Sequence, residues 1–211
     1  MREVTCDDLR RELRVSEWRA WTRELLADLR GSNEGREYMR FQKGPIKRLK
    51  EEVVPTLLFA ERHFPDRDLL ASFPASDQPG SPDALIRAAG SCIRVPLQVT
   101  CDWTYEDEQR LRKVHRDGYS VARRYSLEGI ISEISTIIAD RLAAKTAHGG
   151  YAPNMWLLVH INDERWPPEA LPAIVTAAKA AATSSPFSAT FLVGSSDEKR
   201  ICELLAGAAV I

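Results

Sequence analysis

Nothing in this 211-residue chain marks it for a membrane, a disulfide framework or a uniformly charged partner. Four cysteines occur, Cys6, Cys92, Cys101 and Cys202. They form no CxxC pair and no Cys/His cluster with zinc-ligand spacing, so the expectation is four reduced, mostly buried thiols in a reducing compartment. No stretch is long and apolar enough to span a bilayer. Met1 to Arg14 is charged throughout, unlike a signal peptide. Cytoplasm is therefore the default location, with no membrane partner. The net charge of −1 excludes a global pull toward nucleic acid and leaves only local basic patches. GxSxG, Walker A and GxGxxG sequences are missing, which argues against serine hydrolases of the elbow type, P-loop enzymes and dinucleotide enzymes. No internal repeat is visible.

What is present is an ordinary globular composition, 44% hydrophobic and 28% charged, long enough for one well-buried core. Leu9, Leu13, Trp18, Trp21, Leu25, Leu26 and Leu29 recur at three- and four-residue steps, predicting a helix over 7–30 that ends at Gly31-Ser32-Asn33. Its stripe suits packing, or a homodimer or partner-protein contact. Residues 34–42 read as a polar linker. Ile46, Leu49, Val53, Leu57 and Leu58 make a second helix, kinked by Pro55.

Three strand-like segments follow, over 69–76, 83–88 and 92–101, the last with Ile93, Val95, Leu97 and Val99 alternating. A charged helix over 104–117 and an apolar one from Ser126 to Ala147 come next. Met155–Ile161 reads as a strand buried on both faces. A helix opened by Pro167-Pro168, a strand over 189–193 and a final helix over 197–206 complete the chain. The predicted fold is α/β: a mixed sheet with an antiparallel three-strand meander and a parallel strand-helix-strand extension, helices on both faces. Residues 1–42 form an N-terminal helical extension and 43–211 the α/β domain.

Helix, three-strand meander, helix, strand is also the order of the PD-(D/E)xK nuclease-like core, which the chain resembles from about Pro45 to Ile161. Ser81-Pro82-Asp83 opens the second strand and Leu97-Gln98-Val99-Thr100 ends the third. In that superfamily an Asp and a (D/E)xK triplet converge on a divalent metal, often with a Glu from the preceding helix. The resemblance thus implies Mg²⁺ held by Asp83, Glu61 and Gln98, and catalysis by Asp83, Gln98 and the residue at Thr100. Gln is a known variant at its place. Thr100, which stands where the lysine belongs, carries no charge. Either the domain binds without cutting, or another cation supplies the charge. The superfamily lysine sometimes migrates to the helix after the meander, which makes Lys145 the surrogate. The implied activity is metal-dependent phosphodiester hydrolysis of nucleic acid; the alternative is an inactive module of the same fold that binds nucleic acid or protein.

Two more features bear on function. Arg110, Lys113, Arg116, Arg123 and Arg124 concentrate positive charge after the meander, suiting phosphate contacts or, offset by Glu106, Asp107 and Glu108, a solvated face. His160 and Asp163, at a strand C-terminus, offer an acid/base pair or a plain polar loop.

Overall fold

The computed structural model describes residues 3–41, 44–74, 80–102, 126–163 and 167–207. One seven-stranded mixed sheet runs in sequence order: β1 (Leu13–Arg14), β2 (Leu69–Ser72), β3 (Ala84–Ala88), β4 (Val95–Cys101), β5 (Trp156–Ile161), β6 (Ala189–Gly194) and β7 (Cys202–Gly207). Strands β1 to β4 are antiparallel in succession, β4–β5 and β5–β6 are parallel, and β7 returns antiparallel to β6. The expected meander and parallel extension are both there.

Helices cover both faces. One face carries α1 (Cys6–Arg10), α2 (Val15–Gly31) and α5 (Val54–His63), which share a core with Ile86, Leu97, Val99, Leu158 and Phe191. The other carries α6 (Leu127–His148) and α7 (Leu171–Ala182), whose Ile138, Leu142 and Ile174 pack with Leu157, Val159 and Leu192. Alternate residues of β5 thus enter opposite cores, which is why that segment is apolar throughout.

The N-terminal region departs from a single helix followed by a linker. A capping box starts α1, with the Asp8 amide on Thr5 Oγ1 at 3.1 Å and the Thr5 amide on Asp8 Oδ2 at 3.0 Å. The chain then extends so that Leu13 pairs with Ala71 at the sheet edge, before α2 begins. Residues 33–41 form helix α3 (Asn33–Phe41). The α2 stripe is used internally: Trp18 is fully buried, its indole N–H donates to the Ala71 carbonyl at 2.9 Å, and its ring stands edge-on to Phe73.

The expected final helix is strand β7 instead. The outer edge of β6 presents unpaired backbone groups, and pairing 202–207 with it satisfies them. That tertiary demand overrides the helical reading of Leu204-Leu205-Ala206. The cysteines also differ from expectation. All four are free, but Cys6 and Cys92 are exposed because they lie at a helix start and beside the β3–β4 turn. Among the described residues no helix is long and apolar enough to cross a membrane.

Candidate active site

Asp83 and Gln98 meet. The register places Ala84 opposite Leu97, so Asp83 faces Gln98 across the two strands, and opposed residues project to the same side. The Asp83 amide bonds the Leu97 carbonyl at 2.9 Å. Its carboxylate oxygen Oδ2 accepts from the Val99 amide at 2.8 Å and from the Gln98 side-chain amide. Burial pushes the Asp83 carboxyl up, against the opposing pull of the Val99 amide, Lys145, Gln98 and Arg48.

A glycine contact ties this strand start to the end of α6. Gly80 has φ +81°, and a Cβ there would lie 2.5 Å from the Gly150 carbonyl oxygen. Ser81-Pro82-Asp83 is thereby docked on the segment that follows Lys145. Burial lowers the Lys145 ammonium, while the charges of Asp83 and Glu52 act to raise it. Lys145 therefore belongs to the Asp83 cluster, not to the outer surface of α6. Tyr151 borders it too, its phenol raised by burial and then by Asp83. Thr100 is half-buried, two positions beyond Gln98 on the same face of β4.

The helical carboxylate in this cluster is Glu52, not Glu61. Glu61 is ion-paired to Arg19 Nε at 2.8 Å. Nine residues of helix separate it from Glu52, about 13 Å of axial rise. Glu52 is raised by burial first and further by Asp83, while Arg48 opposes both. Arg48 holds it through Nε and Nη2, at 2.8 and 2.7 Å from Oε2.

The phase of this helix explains why Glu52 arrives there. Pro55 does not simply kink the helix. Helix α4 (Gly44–Arg48) runs into a π turn over Leu49–Val53, closed by the Val54 amide on the Leu49 carbonyl, and then into α5. Pro55 has no N–H for the Glu51 carbonyl four residues back. The Cys101 thiol donates to that carbonyl at 3.4 Å. Such turns change which side chains share a face. Glu51, raised by burial against Lys47, Lys50 and Arg141, lies alongside. Sequence reasoning missed Glu52 and Arg48. The available signal was their four-residue spacing, a helical ion pair three residues ahead of a proline.

His160 and Asp163 are engaged separately. His160 Nε2 is 3.0 Å from Ser195 Oγ and its Nδ1 is 3.7 Å from Cys101 Sγ; burial lowers the imidazole to about 4. Asp163 is fully buried and takes the Ser196 amide at 2.8 Å. Arg62 then clamps the β6–β7 turn by donating to the Gly194, Ser196 and Ile201 carbonyls. This group organises the strand ends. Arg110, Lys113, Arg116, Arg123 and Arg124 lie outside the described residues.

The chemistry of the donor set bears on a metal. Magnesium commonly takes one or two carboxylates and completes its shell with water and substrate oxygens. Asp83 and Glu52 are two such carboxylates and Gln98 adds an amide oxygen. That is a sparse donor set, and no group of three His, Cys, Asp or Glu side chains that could hold a metal ion occurs among the described residues. No family model, curated protein or solved structure matches the chain.

Proposed function

We propose that the protein is a metal-dependent phosphodiesterase of the PD-(D/E)xK nuclease type, with a lysine supplied by α6 in place of the strand lysine missing at Thr100. The observation that carries the reading is the meeting of Asp83 and Gln98 on adjacent strands, with Glu52 and Lys145, both half-buried, close enough for their charges to act on that of Asp83. An antiparallel meander continued by a parallel strand is the sheet such a site requires.

Asp83, Glu52 and Gln98 would hold the cation, which when bound neutralises phosphate charge and activates water. The Val99 amide and Gln98 fix the Asp83 carboxylate; Arg48 fixes that of Glu52. The Lys145 ammonium, destabilised by burial, gives up its proton more readily than an exposed lysine. Its Nζ is suited to orient the attacking water and to offset charge on the phosphate. The basic run over 110–124 would add phosphate contacts.

The test is cleavage of single- and double-stranded DNA and of RNA with Mg²⁺ or Mn²⁺ against EDTA. Asp83→Asn is expected to lower metal-dependent cutting by about 10²-fold or more. One observation favours a second reading, an inactive binding module: Arg48 and Lys145 already balance Asp83 and Glu52 without a metal. Wild-type protein that binds nucleic acid in a salt-sensitive way and never cuts would establish that reading instead.

A further inference from the structure

Arg48 has a hydrogen-bonding capacity that the described residues do not use. It sits at the end of α4, four residues before Glu52, with a side chain only 20% exposed. Two of its nitrogens are engaged: Nε and Nη2 on Glu52 Oε2, with Nη2 also donating to the Pro74 carbonyl at 2.9 Å. The other terminal nitrogen, Nη1, is buried and has no hydrogen-bond partner among the described residues. A charged donor left unsatisfied inside a protein is costly, and guanidinium groups are rarely left so. The side chain is also immobilised on both sides, by a carboxylate and by a backbone carbonyl. An immobilised donor loses little further freedom when a ligand arrives.

The neighbourhood names the ligand's charge. Asp83, Glu52 and Glu51 are matched by Arg48, Lys145 and Arg141, so these groups balance as they stand. A divalent cation on Asp83 and Glu52 leaves the group positive, and the complement is then an anion. Guanidinium matches phosphate oxygens in geometry as well as in charge.

We infer that Arg48 Nη1 is a phosphate-binding donor that takes a non-bridging oxygen of a nucleic-acid phosphate beside Asp83 and Glu52. The inference rests on the phosphodiesterase reading of the site and adds to it the group that anchors the substrate. Glu52 has a double part: it is a ligand for the cation and the brace that aims Arg48. The same carboxylate that would face the cation thus fixes the direction of the arginine.

Binding measured without turnover tests this. Fluorescein-labelled duplex DNA, its single strand and the matching RNA are titrated by anisotropy, with Ca²⁺ and separately with EDTA, across a salt series. Arg48→Met is expected to weaken binding in Ca²⁺ by about tenfold on every substrate that the wild type binds, and to lower the slope of log K against log salt by about one. Arg48→Lys keeps the charge and loses the fork, so it should weaken binding with the slope nearly retained. Thermal melting and far-UV circular dichroism check the fold of both variants; if Arg48→Met does not fold, Arg48→Lys decides alone. Affinity within twofold of the wild type in a folded variant would overturn the inference, as would wild-type protein that binds none of the three probes. Either failure is distinct from failure of the phosphodiesterase reading, which is judged by the metal-dependent cleavage that Asp83→Asn removes.

Discussion

Replacing Gly80 by alanine should damage the site from outside it, and Gly90 supplies the control. Both glycines have nearly the same left-handed backbone, with φ +81° and +82°. They differ in surroundings: a Cβ at Gly80 would lie 2.5 Å from the Gly150 carbonyl oxygen, whereas nothing lies within 4 Å at Gly90. An L-residue there costs about 1–2 kcal/mol at each position, more than stiffening of the unfolded chain returns. Gly90→Ala should therefore lose about 1 kcal/mol, the strain of the left-handed backbone alone. Gly80→Ala adds a backbone collision that no rotamer can relieve, about 1–3 kcal/mol by analogy with overpacking. For a chain of this size each kcal/mol lowers the melting temperature by about 2–4 °C. Urea and thermal melts of the two variants measure the difference directly. The collision should also move Ser81-Pro82-Asp83 away from the end of α6, so cleavage should fall in Gly80→Ala alone. Equal stability of the two variants would refute the docking of Asp83 on the Lys145 helix.

Further outcomes follow from the same geometry. Asp83 is held above its ordinary range, so the stability it contributes is complete below about pH 4 and lost as pH rises through its folded value. Asp83→Asn should thus melt progressively higher than the wild type from pH 4 to pH 8, and a gap that narrows with pH would contradict this. His160 lies at about 4, below the ordinary 6.5, so its neutral form stabilises the fold above pH 6.5 and about 3 kcal/mol is lost as pH falls toward 4. Its imidazole resonances should titrate with a midpoint near 4; a midpoint near 6.5 would show the ring to be accessible. Arg62→Met removes the donor of three backbone carbonyls at the β6–β7 turn and should cost about 3 kcal/mol in urea melts, against less than about 0.5 kcal/mol if the clamp is idle.

Strong local patterns were legible in the sequence. The alternation in Val95–Cys101 and the apolar run at Trp156–Ile161 announced strands, and the resemblance named Asp83 and Gln98, which the β3–β4 register sets opposite each other. Lys145 was named through the resemblance, as a lysine on the helix after the meander, though its burial was not legible. What stayed hidden depended on long-range demands. The segment 202–207 has helical composition and becomes a strand because β6 lacks a neighbour. Glu61 came from the resemblance, as a Glu on the preceding helix, and no local pattern announced the π turn just before Pro55 that sets the face of Glu52. The lesson is local: a proline within a helix that also carries adjacent acids is a reason to reconsider which face those acids occupy.

Transplanting the lysine from α6 to β4 tests whether Lys145 supplies the charge that Thr100 lacks. Metal-dependent cleavage is compared in the wild type, Lys145→Met, and Lys145→Met combined with Thr100→Lys, all checked for fold by thermal melting. Cutting by the wild type should fall by about 10²–10⁴-fold in the single variant and return in part when the lysine is restored on β4. A wild type that does not cut, or a folded Lys145→Met protein that cuts at the wild-type rate, would contradict the account.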